Sequence, residues 1–220
     1  ATWCGSCGGW GWGLNKDVIK DNNDKTLVLS LHSASSGLGT ALMTSLNNVF
    51  ENNSGTPNWF VQGKNETVFV GSSINSTATR TRCKEIVDSL YNAKPDVSAS
   101  YSYTIEGSKL TISTKTKFFN TVSDEYYMGV YLVEDGVIHN QKDYSDNSND
   151  LRPHPGILRA IVNSSSSSFG VKVSDNMSTN SGTVKDGQYD YTIPSEYNKD
   201  KAYIAIIDSK LSIIKYIKYR

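Results

Sequence analysis

The sequence predicts an α/β segment followed by an all-β segment. Three observations carry this. Strand-like and helix-like periods alternate up to residue 94. From residue 95 apolar and polar residues alternate at a period of two. The change falls at Lys94-Pro95-Asp96, a composition that ends helices and opens turns. The expected division is therefore 1–94 and 95–220.

Taken in order, Thr26–Leu31 is a short apolar run of β formers and predicts a buried strand. Thr40–Asn52 places Leu42, Met43, Leu46, Val49 and Phe50 at helical spacing. Asn58–Gln62 and Thr67–Val70 predict two strands joined by a turn around Gly63 and Lys64. Thr79–Asn92 then sets Cys83, Ile86, Val87, Leu90 and Tyr91 on one helical face. Strand, helix, hairpin, helix is an α/β order. After Pro95, Val97, Ala99, Tyr101, Tyr103 and Ile105 alternate with Ser98, Ser100, Ser102 and Thr104. Glu106-Gly107-Ser108 turns the chain, and Leu110, Ile112, Thr114 and Thr116 continue the pattern. Further strands are expected at Tyr127–Glu134, Ile157–Asn163, Phe169–Val173, Gln188–Ile193, Tyr203–Asp208 and Leu211–Tyr219. Asp135-Gly136 and Asp186-Gly187 supply turn chemistry. Polar Gln141–Pro155 and the serine run Ser164–Ser168 read as loops. Short strands at this spacing predict an antiparallel β-sandwich.

Composition removes several function classes. Lys+Arg and Asp+Glu both number 22, so the formal net charge is zero. Nucleic-acid binding thus lacks its electrostatic footprint, and so does a polybasic membrane patch. No stretch approaches the roughly 18 apolar residues of a membrane helix. No signal peptide is visible, and the abrupt opening on Ala1-Thr2-Trp3-Cys4 is expected of a mature, trimmed or fragmentary chain.

The sharpest chemical signal is Trp3-Cys4-Gly5-Ser6-Cys7. Two thiols three positions apart at a helix start can close a small-ring disulfide. A helix N-terminus turns free N–H groups and positive dipole toward the first sulfur. That favours the thiolate, which is the nucleophile. The first cysteine then attacks a substrate disulfide and the second resolves the mixed disulfide. Zinc would need a second such pair or suitable histidines. Only Cys83 and three histidines remain, none at zinc-finger spacing, so neither metal nor cofactor is expected.

Ala1–Cys7 resembles the active-site segment of thioredoxin-like proteins. Gly55-Thr56-Pro57-Asn58-Trp59-Phe60-Val61 resembles the segment around that family's cis-proline. Gly63-Lys64, Val68–Gly71 and the Thr79–Tyr91 helix follow its closing β-β-α order. The resemblance covers roughly residues 1–93. It implies Cys4 as nucleophile, Cys7 as resolving thiol, and Trp3, Gly5, Ser6, Thr56 and Pro57 facing a polypeptide thiol or disulfide substrate. The alternative is that Thr56-Pro57 is an ordinary strand-opening turn; the flanking context favours the cis-proline reading.

Tyr131–Gly136 and Pro155–Ala160 resemble segments of the Omp28-like outer-membrane lipoproteins of Bacteroidetes, and Leu29-Ser30-Leu31-His32 fits as well. That resemblance implies a thioredoxin-like domain joined to an immunoglobulin-like β-sandwich in the cell envelope, at the periplasm or outer-membrane surface. Membrane contact would run through a lipid anchor outside this chain. The strand expected before the motif and a lipoprotein cysteine are missing here. A rival reading is a surface binding or adhesion module, with Cys4–Cys7 as a permanent structural bridge.

Other residues keep two readings. Gly8-Gly9-Trp10-Gly11-Trp12-Gly13 disfavours a helix, at about 1 kcal/mol per glycine. It permits a loop with exposed Trp10 and Trp12, or tryptophans that fill the core. His32 ends the first expected strand and is a candidate modulator of Cys4, or else a hydrogen-bonded strand-end histidine. His139 and His154 are expected at the surface of the second domain. Cys83 is expected as a buried small hydrophobe, with a redox role as the alternative. Arg159 is expected to point outward or form a salt bridge.

Overall fold

A computed structural model describes residues 1–50, 55–210 and 213–217. The chain is mostly β, with few helices and several antiparallel sheets. It forms two compact units. One comprises Ala1–Ala93 with Asp135–Leu158, and the other Lys94–Glu134 with Arg159–Arg220. Residues 135–158, expected in the second domain, therefore cluster with the first unit.

In the first unit, helix α1 (Gly5–Gly8) is one turn capped by Cys4, and α2 (Trp10–Asp21) follows after Gly9. Apart from Gly9, the glycine run is thus helical rather than a loop. Helix α3 (Ala41–Val49) is capped by the Thr40 hydroxyl, which accepts from the Met43 N–H, and buries Met43 and Leu46. Helix α4 (Ser76–Tyr91) is capped by Asn75 and buries Cys83 and Val87. Both follow the predicted spacing; Glu51 and Asn52, at the predicted end of the α3 helix, lie outside the described residues. Leu14 and Val18 of α2 pack with Cys83, and Trp59 and Val61 close the cluster. Arg80 of α4 binds Asp21 (2.6 and 2.8 Å) and Asp17 (2.9 Å) of α2.

Three expectations change here. Thr26–Leu31 forms no strand; its one β-contact is a parallel bridge from Ser30 to Ile157. Ser30 N–H donates to the Gly156 carbonyl (2.7 Å) and its hydroxyl to Pro155 O (2.5 Å). A strand needs a ladder, and this segment has a single rung. The two runs around residue 65 do not form one simple hairpin either. Phe60–Val61 pairs with Lys64–Asn65 across Gln62-Gly63, both at positive φ as a tight hairpin turn requires, and Phe69–Val70 pairs with Ser73–Ile74. Finally, Gln141–Pro155 is not a loop. Val137–Lys142 pairs antiparallel with Asn149–His154, setting His139 opposite Arg152.

The second unit is built on the predicted alternation. Val97–Glu106 and Lys109–Phe118 form a hairpin, and Val184–Thr192 pairs with the latter. Asp186 and Gly187 lie inside that strand, opposite Lys115 and Thr114, rather than in a turn. A ladder partner along the whole strand outweighs their turn preference. In the second sheet, Tyr126–Glu134 lies between Ile157–Ile161 and Ala202–Lys210, and Ile213–Ile217 pairs with Ala202–Lys210. Val171–Lys172 also pairs with Tyr126–Glu134. The rest of the predicted Leu211–Tyr219 strand lies outside the described residues. Leu110, Ile112 and Phe118 of the first sheet share one core with Met128, Val130, Leu132, Ile204 and Ile206 of the second. Arg159 is salt-bridged, with Nε 2.8 Å from Glu134 and the guanidinium over the Tyr197 ring. Among the described residues no helix is long and apolar enough to cross a membrane.

Candidate functional site

Cys4 and Cys7 are joined by a disulfide at the start of α1. Cys4 occupies the cap position, and the Cys7 N–H points at its sulfur, 3.1 Å away. On another side Cys4 Sγ lies 3.7 Å from the Thr56 carbonyl oxygen. The Thr56–Pro57 peptide is cis. Gly11 of α2 packs on Pro57 so closely that a Cβ there would sit 2.9 Å from the proline Cγ. Cys4 and Cys7 are thus in one cluster with Thr56 and Pro57, and Cys4 and Thr56 are 52 residues apart in sequence. Cys4 is only 6% exposed, while Cys7 and Ser6 are partly exposed and Thr56 is exposed.

The other predicted residues spread around this centre. Trp3 is exposed, and its indole N–H faces the Ser33 and Ser35 hydroxyls at 3.2 and 3.1 Å. Gly5 is buried, and a Cβ on it would collide with the Tyr144 ring. Trp10 is exposed at one edge and packs against Trp59, with ring centroids 6.1 Å apart. Trp12 meets His154 edge-on at 5.2 Å, under the Arg152 guanidinium at 5.5 Å. Trp10 is therefore exposed, whereas Trp12 is half-buried against His154 and Arg152, outside the apolar cluster of Leu14, Val18 and Cys83.

The Val137–His154 hairpin supplies what sequence reasoning missed. The Lys142 N–H donates to Thr2 O (2.8 Å), and the Tyr144 N–H to Gly5 O (3.2 Å). Gln141 Nε2 donates to Cys4 O (2.9 Å), and Arg152 Nη1 to Gly8 O (2.6 Å). Arg152 also binds Asp143 (2.8 Å), whose carboxyl accepts from Ser145 as well. The Ser145 and Arg152 hydrogen bonds hold Asp143 down at about 2.

A family model described as "Outer membrane protein Omp28" matches residues 50–212, well over half of the chain. The chain belongs to the Omp28 family. It is accordingly a protein of the bacterial cell envelope. The match takes in Thr56, Pro57 and the hairpin, whereas Cys4 and Cys7 precede it. Among solved structures, a domain of the outer membrane lipoprotein Omp28 from Porphyromonas gingivalis is 16% identical. That comparison covers 57% of this chain and 88% of the Omp28 domain, at a TM-score of 0.36. No curated protein matches the chain.

In this Omp28 family member the histidines also differ from expectation. His154 is buried, not at a surface, and packs edge-on against His32 (5.3 Å) and His139 (6.3 Å). Burial pushes its pKa down to about 4, against the opposing pull of its hydrogen bond to His139 O. Among the described residues no group of three or more His, Cys, Asp or Glu could hold a metal ion. Cys83 is 1% exposed, and burial pushes its thiol up to about 11, aided by the nearby Glu66 charge. That is the state of a packed hydrophobe rather than a nucleophile.

Proposed function

We propose that the Cys4–Cys7 pair is a thiol–disulfide exchange centre on a thioredoxin-like unit, and that the second unit is an immunoglobulin-like β-sandwich. One observation carries the reading. Cys4 caps α1 with the Cys7 N–H 3.1 Å from its sulfur, while the Thr56 backbone lies at the same sulfur. An N–H aimed at sulfur stabilises a thiolate when the bridge is open.

In the reduced state Cys4 thiolate attacks one sulfur of a polypeptide disulfide. A Cys4–substrate bond forms, and the substrate's other sulfur leaves as thiolate. Cys7 thiolate then attacks Cys4 Sγ and expels the second substrate thiolate. The Cys4–Cys7 bond closes, and two electrons have passed to the substrate. Run backward, the same steps oxidise a substrate dithiol. Trp3, Gly5, Ser6, Thr56 and Pro57 form the substrate-facing surround in this reading. Gly5 acts there through its backbone, since it is buried.

The burial of Cys4, at 6% exposed, favours a second reading: a permanent bridge in a surface binding or adhesion module. Equilibration in glutathione buffers with thiol trapping separates the two. Exchange predicts a reduction potential between about −270 and −120 mV, and reductase or isomerase activity lost in Cys4→Ser. A potential below about −300 mV, with no activity, assigns the bridge to structure.

A further inference from the structure

We propose that the Val137–His154 hairpin is the positioning element of the Cys4–Cys7 motif, with Gln141 and Arg152 as its working side chains. The inference rests on the exchange reading above.

Helix α1 is a single turn of four residues. One turn fixes several dihedrals for very few hydrogen bonds and does not hold itself. Here the hairpin supplies the missing bonds. Donors from its backbone reach Thr2 O and Gly5 O, and donors from its side chains reach Cys4 O and Gly8 O. The two side-chain bonds grip the carbonyls just before and at the end of the turn. Gln141 is 2% exposed, and its amide reaches Cys4 O and Lys142 O, both at 2.9 Å, and Ala1 O at 3.4 Å. Arg152 is fixed in turn by Asp143 and by the Trp12 ring. The glycines of the motif are shaped to this partner: a Cβ on Gly8 would collide with the Lys142 carbonyl, and one on Gly5 with the Tyr144 ring.

The chemical consequence follows from the Cys7 N–H. It points at Cys4 Sγ only while the turn is wound. Releasing Cys4 O or Gly8 O lets the turn open, and the sulfur loses its donor. The Cys4 thiol then moves toward the ordinary thiol value of about 8.5, and its thiolate fraction at neutral pH falls.

The test uses the reduced full chain. Alkylation of Cys4 by iodoacetamide is followed across pH by peptide mass spectrometry for wild type, Gln141→Met, Arg152→Ala and Arg152→Lys. Gln141→Met keeps the buried volume and removes the donors. Gln141→Met and Arg152→Ala are expected to lower the Cys4 alkylation rate at pH 7 by about fivefold to tenfold and to shift the reduction potential. Arg152→Lys restores most of the rate, because it keeps a cationic donor. Unchanged pH profiles and potentials in folded variants overturn the positioning role while leaving exchange intact. If Arg152→Ala does not fold, Gln141→Met decides by the same readouts. An ordinary thiol pKa in wild type, with a potential in the structural range, removes the exchange reading itself.

Discussion

Asp208 is the most exposing test of the energetics. It sits on the Ala202–Lys210 strand, two residues beyond Ile206, and shares the side of Ile204 and Ile206 that packs into the core of the second unit. It is 4% exposed, and neither carboxyl oxygen has a hydrogen-bond partner among the described residues. Burial pushes its pKa up to about 7, from an ordinary 3.8; the Ala99 backbone amide pulls the other way without reaching hydrogen-bond geometry. Between these two values the unfolded chain has lost the proton and the folded chain has kept it. Stability therefore falls as pH rises from about 4 to about 7, and stays at its lower value above. Three pKa units correspond to about 4 kcal/mol, an upper bound. Asp208→Asn removes the ionisation. The variant should match wild type near pH 4 and exceed it at pH 8, by roughly 2–4 kcal/mol or on the order of 10 °C in Tm. The assay is calorimetry at pH 4.5, 6 and 8. Trp3, Trp10, Trp12 and Trp59 all belong to the first unit, so tryptophan fluorescence follows that unit separately. A variant that tracks wild type at every pH, or falls below it at pH 8, would refute the picture of a buried acid with no hydrogen-bond partner among the described residues.

Three further predictions concern the first unit. Gly11→Ala should destabilise it by about 1–3 kcal/mol, because the new methyl meets Pro57 Cγ at 2.9 Å and Ser6 O at 3.0 Å. Gly13→Ala, with open space at its Cβ, should stabilise the same helix by about 0.5–1 kcal/mol; urea unfolding followed by tryptophan fluorescence reads both, and equal effects would refute the packing. Native Cys83 should resist iodoacetamide at pH 8 and react only on unfolding, whereas rapid labelling of folded protein would show that its burial is wrong.

Much of the architecture is legible in residue order because it depends on periodicity. Leu42 to Phe50 and Cys83 to Tyr91 repeat at helical spacing, and Val97 to Thr116 alternate, so α3, α4 and the first long hairpin follow from which face is apolar. The Cys-x-x-Cys motif is equally visible, as a local pattern. The Val137–His154 hairpin was not, since its polarity is inverted. Its exposed positions include Ile138 and Leu151, while Gln141, Asp143 and His154 are buried. Gln141 faces the carbonyls of Ala1 and Cys4, Asp143 binds Arg152 and Ser145, and His154 packs on the His32, His139 and Trp12 rings, so no apolar period marks the strands. The same lack of context misplaced Asp186-Gly187, whose turn preference yields to a full ladder with Lys109–Phe118. It also misjudged the glycine run, where Gly8 and Gly11 are required by neighbours that arrive from residues 142 and 57. The sequence by itself determined the elements whose information is local: helix faces, alternating strands and the paired thiols. Tertiary structure alone decided what surrounds the disulfide, because a buried hydrogen bond or a close approach is set by a partner far away in sequence and leaves no periodic trace.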